Sequence, residues 1–143
     1  FEDNMHLEHS TETQAPFIKH YFSDASIVEI VYGKMSYEGL SLLIDEVLED
    51  EDNLLVISTD LSHFYTQEKA NELDNICLNA IAKKDLALFD KGCEACGKVG
   101  VKAVIKSAIK KGFDTKVLHY CTSYNKTKDA SRVVGYASAL IGN

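Results

Sequence analysis

The spacing of apolar residues changes along the chain, and each change predicts an element. SIVEIVY (26–32) is short and β-branched, which predicts a strand. From Ser36 onward, Leu40, Leu43, Ile44, Val47 and Leu48 recur at helical spacing, with Ser36 placed to cap the first turn. Acids at 49–52 oppose the helix dipole, so that helix should stop there. LLVIS (54–58) predicts a second strand, and STDLSHF continues from it as a loop. Thr66 can cap a helix whose apolar stripe is Ala70, Leu73, Cys77, Ala80 and Ile81. A short apolar segment, DLALF (85–89), precedes a turn containing Gly and Cys. Val101, Val104, Ile105, Ala108 and Ile109 form a further stripe, with Lys102, Lys106 and Lys110 on the expected solvent side and Gly112 at the stop. KVLHY (116–120) and RVVGYASALI (132–141) predict two closing strands around a polar SYNKTKD connection. The one proline, Pro16, fits the first turn of a helix in TETQAPFIKHY. Strands alternating with amphipathic helices predict an α/β layered domain, an α/β/α sandwich spanning residues 1–143. In such sheets ligands gather beyond the carboxyl ends of strands, where Asp60 and His63 follow LLVIS.

Composition narrows the functions. At 143 residues the chain has room for one ordinary domain. A net charge of −7 argues against a nucleic-acid backbone as partner, and the lysines lack interleaved aromatics. No apolar run approaches the ~18 residues of a membrane span, and no export signal is visible. Of four cysteines, Cys77 lies in a helical stripe and Cys121 ends an apolar strand. Both read as buried thiols of a reducing compartment, which points to the cytoplasm.

Four constellations can carry chemistry. In Asp60-Leu61-Ser62-His63, a carboxylate beside an imidazole can fix its tautomer and raise its basicity; the alternative is a loop Asp capping backbone beside an exposed His. His6, His9 and Glu12 are spaced by three and could share a helix face, or form a frayed polar terminus capped by Ser10 or Thr11. Cys93 and Cys96 form a C-x-x-C, which suggests a redox dithiol or half a zinc site, but no second ligand pair completes a structural zinc site. Cys96 precedes Gly97 at the start of a predicted helix, where helix termini favour thiolates; a Cys packed at a loop is the alternative. Gly135 in VVGYASAL marks either a sheet bend, the preferred reading, or a close backbone approach. Dinucleotide and triphosphate glycine loops and the G-x-S-x-G elbow are absent.

EHSTETQAPF, STDLSHF, EACGKVGVKAVI and SRVVGYASAL, in that order, resemble the Memo family, whose bacterial and archaeal members are often called AmmeMemoRadiSam system protein B. The four segments are spread across nearly the whole chain, from residue 8 to residue 140. The resemblance implies a fold related to class III extradiol dioxygenases, which use non-haem iron. It implies a metal-binding redox or dioxygenase-like role, or alternatively a non-catalytic scaffold, ligand-binding or peptide-binding module on the same pocket. By position, Cys96 matches a proposed metal ligand, Asp60 and His63 match polar residues of the pocket with catalytic roles, and His9 and Glu8 match residues lining it. Family members are about twice as long, and their A-P-H-A-G-Y and G-P-S-H segments, which supply further metal-binding histidines, do not occur here. The chain therefore resembles the carboxy-terminal half of a larger domain. Iron, or copper or zinc, would need ligands absent from it. Its expected partners are the amino-terminal half or another copy, and a small-molecule or peptide ligand. A one-sided sheet would also leave an apolar edge, predicting association.

Overall fold

The computed structural model describes residues 9–143. The chain divides into two compact units, at residues 1–35 and 36–143. In the first, α1 (His9–Glu12) and α2 (Ala15–Tyr21) follow one another, with Pro16 in the first turn of α2 as predicted. Thr11 Oγ1 donates to Glu29 Oε2 at 3.1 Å.

The second unit holds α3 (Tyr37–Val47), β1 (His63–Tyr65), α4 (Gln67–Lys83), α5 (Lys98–Lys111), β2 (Asp114–Thr122), α6 (Tyr124–Thr127) and β3 (Val133–Gly142). Ser36 caps α3 by accepting the Gly39 N–H at 3.1 Å, and Thr66 caps α4 by accepting that of Lys69 at 3.3 Å. The stop of α5 at Gly112 uses a positive φ of 73°, with the Phe113 N–H returning to the Ala108 carbonyl at 2.9 Å. The sheet is antiparallel in the order β1-β3-β2. Helices with a small antiparallel sheet make the class α/β. The core gathers Leu61, Cys77, Ala80 and Ile81 against Phe89, Ala95, Val101 and Ile105.

Helix α3 lies against α5. The buried Ser107 hydroxyl donates to the Ser41 carbonyl at 3.1 Å, Lys110 Nζ meets Asp45 Oδ2 at 2.6 Å, and Lys111 Nζ reaches the Leu48 carbonyl at 3.2 Å. That last bond satisfies a carbonyl which the end of α3 leaves without a helical partner.

Several expectations need correction. Neither 26–32 nor 54–58 forms a ladder. Their β-branched composition suits a strand, but a strand exists only as part of a ladder, and no ladder forms there among the described residues. DLALF, for which the sequence predicts only a short apolar segment, runs into a 3-10 turn at Leu88–Lys91 that carries Phe89 fully into the core. Lys102 is not on the solvent side. It is 8% exposed, its Nζ lies 3.0 and 3.1 Å from the Asp90 carboxylate, and it sits 4.3 Å above the Tyr37 ring. An ion pair and an aromatic face together let an ammonium lie on the buried stripe. Cys77 is buried but is not a free thiol: it is disulfide-bonded to Cys93. Gly92, at φ 119°, turns the chain after Phe89 so that Cys93 meets the α4 stripe.

Candidate functional site

The STDLSHF segment leaves residue 58 and is tied down at once by two neighbours. The Thr59 hydroxyl donates to the Asp60 carbonyl at 2.9 Å and accepts the N–H of Gly97, the residue that precedes α5, at 2.7 Å. That places the exposed Cys96 beside the same loop, its Sγ 3.2 Å from Thr59 Oγ1 and 3.8 Å from the Asp60 carbonyl oxygen. Further along, Leu61 N–H donates to the Gly135 carbonyl at 3.0 Å and Gly135 N–H to the Ser62 carbonyl at 2.9 Å. His63 thus enters β1 opposite Val134, rather than standing in a free loop.

Asp60 and His63 meet as the motif predicts. His63 Nε2 lies 3.3 Å from Asp60 Oδ2, both side chains half-buried. An ionised carboxylate only accepts, so Nε2 carries the hydrogen and Nδ1 is left as the acceptor nitrogen. Tyr136 on β3 belongs to this neighbourhood. Its phenol is pushed up from its ordinary pKa by partial burial and by the negative charge of Asp60. Next to His63, Phe64 is exposed and holds a positive φ of 64°, uncommon for a bulky residue. The Arg132 guanidinium carbon lies 4.8 Å from its ring centroid. Tyr65 Oη donates to Glu94 Oε2 at 3.1 Å, joining β1 to the loop that leads into Cys96. That hydrogen bond and the charge of Glu94 raise the Tyr65 pKa.

Cys96, Asp60 and His63 are therefore brought together within the second unit. The Cys93–Cys96 dithiol is not formed, because Cys93 is bonded to Cys77. His9 belongs to the first unit, where its Nδ1 pairs with Glu12 Oε2 at 3.0 Å on an exposed helix face. Glu8 and His6 lie outside the described residues. Among the described residues, no three His, Cys, Asp or Glu side chains are grouped to hold a metal ion.

The comparisons with known proteins decide the family. The chain matches the family described as Memo-like protein over residues 2–140. It belongs to the Memo-like family. It is 36% identical to a MEMO1 family protein of Methanococcus maripaludis, over 98% of this chain and 55% of the relative. Against a MEMO1 family protein of Thermotoga neapolitana the identity is 34%, over 98% and 53% of the two chains. With one from Methanobrevibacter smithii it is 33%, over 93% and 51%. The chain spans about half the length of these curated relatives.

Three residues placed around the Asp60–His63 pair were not read from the sequence. Thr59 looks like an ordinary turn residue, and its partner Gly97 is 38 positions away. Phe64 shows its importance only through its backbone angle. Asp74 did carry a signal, being a carboxylate on the apolar stripe of α4 between Ala70 and Cys77. In the structure it is 0% exposed.

Proposed function

We propose that this Memo-like chain supplies part of a metal-dependent redox site of the dioxygenase-like kind, with Cys96 as the sulfur donor and Asp60 and His63 as the proton-handling pair. The observation that carries the reading is the contact of Cys96 Sγ with Thr59 and with the main-chain oxygen of Asp60, the residue whose carboxylate meets His63. Thiolate sulfur suits iron, copper or zinc, and a metal so held would polarise a bound substrate oxygen. One sulfur does not make a site, and no donor trio is grouped among the described residues, so the remaining ligands would come from outside them.

The chain's own residues have definable tasks. Asp60 fixes the hydrogen of His63 on Nε2, which leaves Nδ1 free to take a proton from a bound hydroxyl. The Tyr136 phenol keeps its proton and can donate beside Asp60. The test is metal content of a full-length protein containing this chain, wild type against Cys96→Ser. Loss of metal in the variant is expected, and unchanged stoichiometry rules out Cys96 as a ligand.

A second reading, a ligand- or peptide-binding module without turnover, is favoured by the exposed Phe64 ring with Arg132 above it. That pair offers a stacking face and a cation to an aromatic or anionic group. Oxygen uptake with catecholic substrates separates the two: consumption supports the redox reading, and saturable binding without consumption supports the module.

A further inference from the structure

The sharpest buried feature of the second unit is a carboxylate that the proposed chemistry does not use. Asp74 is fully enclosed on α4. Its Oδ1 accepts the Ser62 backbone N–H at 2.8 Å, and its Oδ2 accepts the Tyr120 hydroxyl at 2.8 Å. Burial first, and then the bond to Asp74, push the Tyr120 phenol well above its ordinary pKa, so it stays a donor. Tyr120 Oη also lies 3.0 Å from Asn71 Oδ1, which accepts from Gln67 at 2.9 Å. Gln67 in turn accepts from Thr122 at 2.6 Å. The carboxylate is thus seated in a polar seam between α4 and β2.

The opposite wall of this seat is Gly135. A Cβ built there would stand 1.9 Å from Asp74 Oδ2 and 2.7 Å from its Cγ. The glycine is therefore a close approach between backbone and carboxylate, not the sheet bend preferred from sequence. The same Gly135 exchanges hydrogen bonds with Leu61 and Ser62. The backbone between Asp60 and His63 is consequently held from both sides, by β3 along the chain and by Asp74 at one amide.

We propose that Asp74, seated against Gly135 and Tyr120, is the positioning residue of the site: by gripping the Ser62 amide it sets the separation at which Asp60 meets His63. This rests on the reading above only in taking Asp60 and His63 as the working pair. Asp74 touches neither side chain and acts through the backbone of Ser62. Its removal has a specific consequence. A slack Leu61–Ser62 segment lets His63 Nε2 part from Asp60, and the imidazole returns to the tautomer mixture of a free histidine.

The experiment is nitrogen-15 NMR of the imidazole tautomers in metal-free protein, under alkaline conditions where the ring is neutral, with the His63 signals assigned by their loss in His63→Gln. Wild type is expected to hold the Nε2–H form. Asp74→Ala is expected to fall back to the free-histidine mixture, in which Nε2–H is only the major form. Asp74→Asn should restore the wild-type form, since its carbonyl oxygen still accepts from Ser62. Gly135→Ala, which forces the carboxylate aside by a different route, should reproduce the loss. Tyr120→Phe keeps the ring in the core while freeing Oδ2, and should move the ratio part-way if the harsher variants fail to fold. A variant that melts earlier but keeps the wild-type tautomer makes Asp74 merely structural and overturns the proposal. A wild-type protein already showing the free-histidine mixture overturns it as well. Because no metal is present, these outcomes are independent of the Cys96→Ser metal assay, and either reading can fail while the other stands.

Discussion

Ser62 is the residue whose parts are treated most unequally. Its amide and carbonyl are both bonded, yet its hydroxyl is buried with no partner among the described residues. An unsatisfied buried hydroxyl costs stability rather than adding it. Ser62→Ala is therefore expected to leave the melting temperature unchanged or raise it, by up to about 1 kcal/mol in stability. A clear fall on thermal melting would show that the hydroxyl has a partner. Phe89 is the opposite case, apolar and fully enclosed. Phe89→Ala is expected to cost about 3–5 kcal/mol by denaturant titration. At this scale the sequence is legible where one side chain has one role, as with the caps Ser36 and Thr66. It is silent on Thr59, whose task depends on an amide 38 positions away.

Among the elements, the pairing of α3 with α5 makes a pH-dependent joint. The hydrogen bond from Lys110, reinforced by the charges of Lys110 and Lys111, holds the Asp45 carboxyl below its ordinary pKa. A depressed folded pKa means that the group's contribution is present above the unfolded value of about 4, and is lost as pH falls through the folded one. Asp45→Asn should flatten the acid limb of the stability-against-pH curve below about pH 4 and leave its neutral slope unchanged. Chemical denaturation at a series of pH values checks this, and an unaltered acid limb would show that the pair contributes nothing there. The helices themselves were legible, because their 3.6-residue stripes and caps are local. Segments 26–32 and 54–58 were misread for the converse reason: their composition suits strands, but pairing is a non-local event.

Across the described residues, apolar side chains remain on the surface where the two expected strands form no ladder. Val28 is 77% exposed and Leu54 70%, with Val56 half-exposed beside it. Apolar surface of this kind drives association. The double variant Leu54→Lys, Val56→Lys is expected to reduce self-association at high concentration in sedimentation velocity, while the far-ultraviolet spectrum stays the same. Equal association in both forms would place the sticky surface elsewhere. No helix among the described residues is long and apolar enough to cross a membrane.

The sequence by itself determined helices α3, α4 and α5, the caps that start α3 and α4, the two long closing strands and the family, because these rest on local periodicity and on short motifs in order; the short α6 falls in SYNKTKD, which reads only as a polar connection. It also determined that Asp60 and His63 lie within reach of each other, three positions apart. Only the tertiary structure decided that Cys96 joins them through Thr59, that Cys77 bonds Cys93, that Lys102 is buried against Asp90, and that Asp74 lies against Gly135. Each of these pairs residues far apart in the chain, and their distance is set by how helices and strands pack rather than by any pattern a single segment can carry.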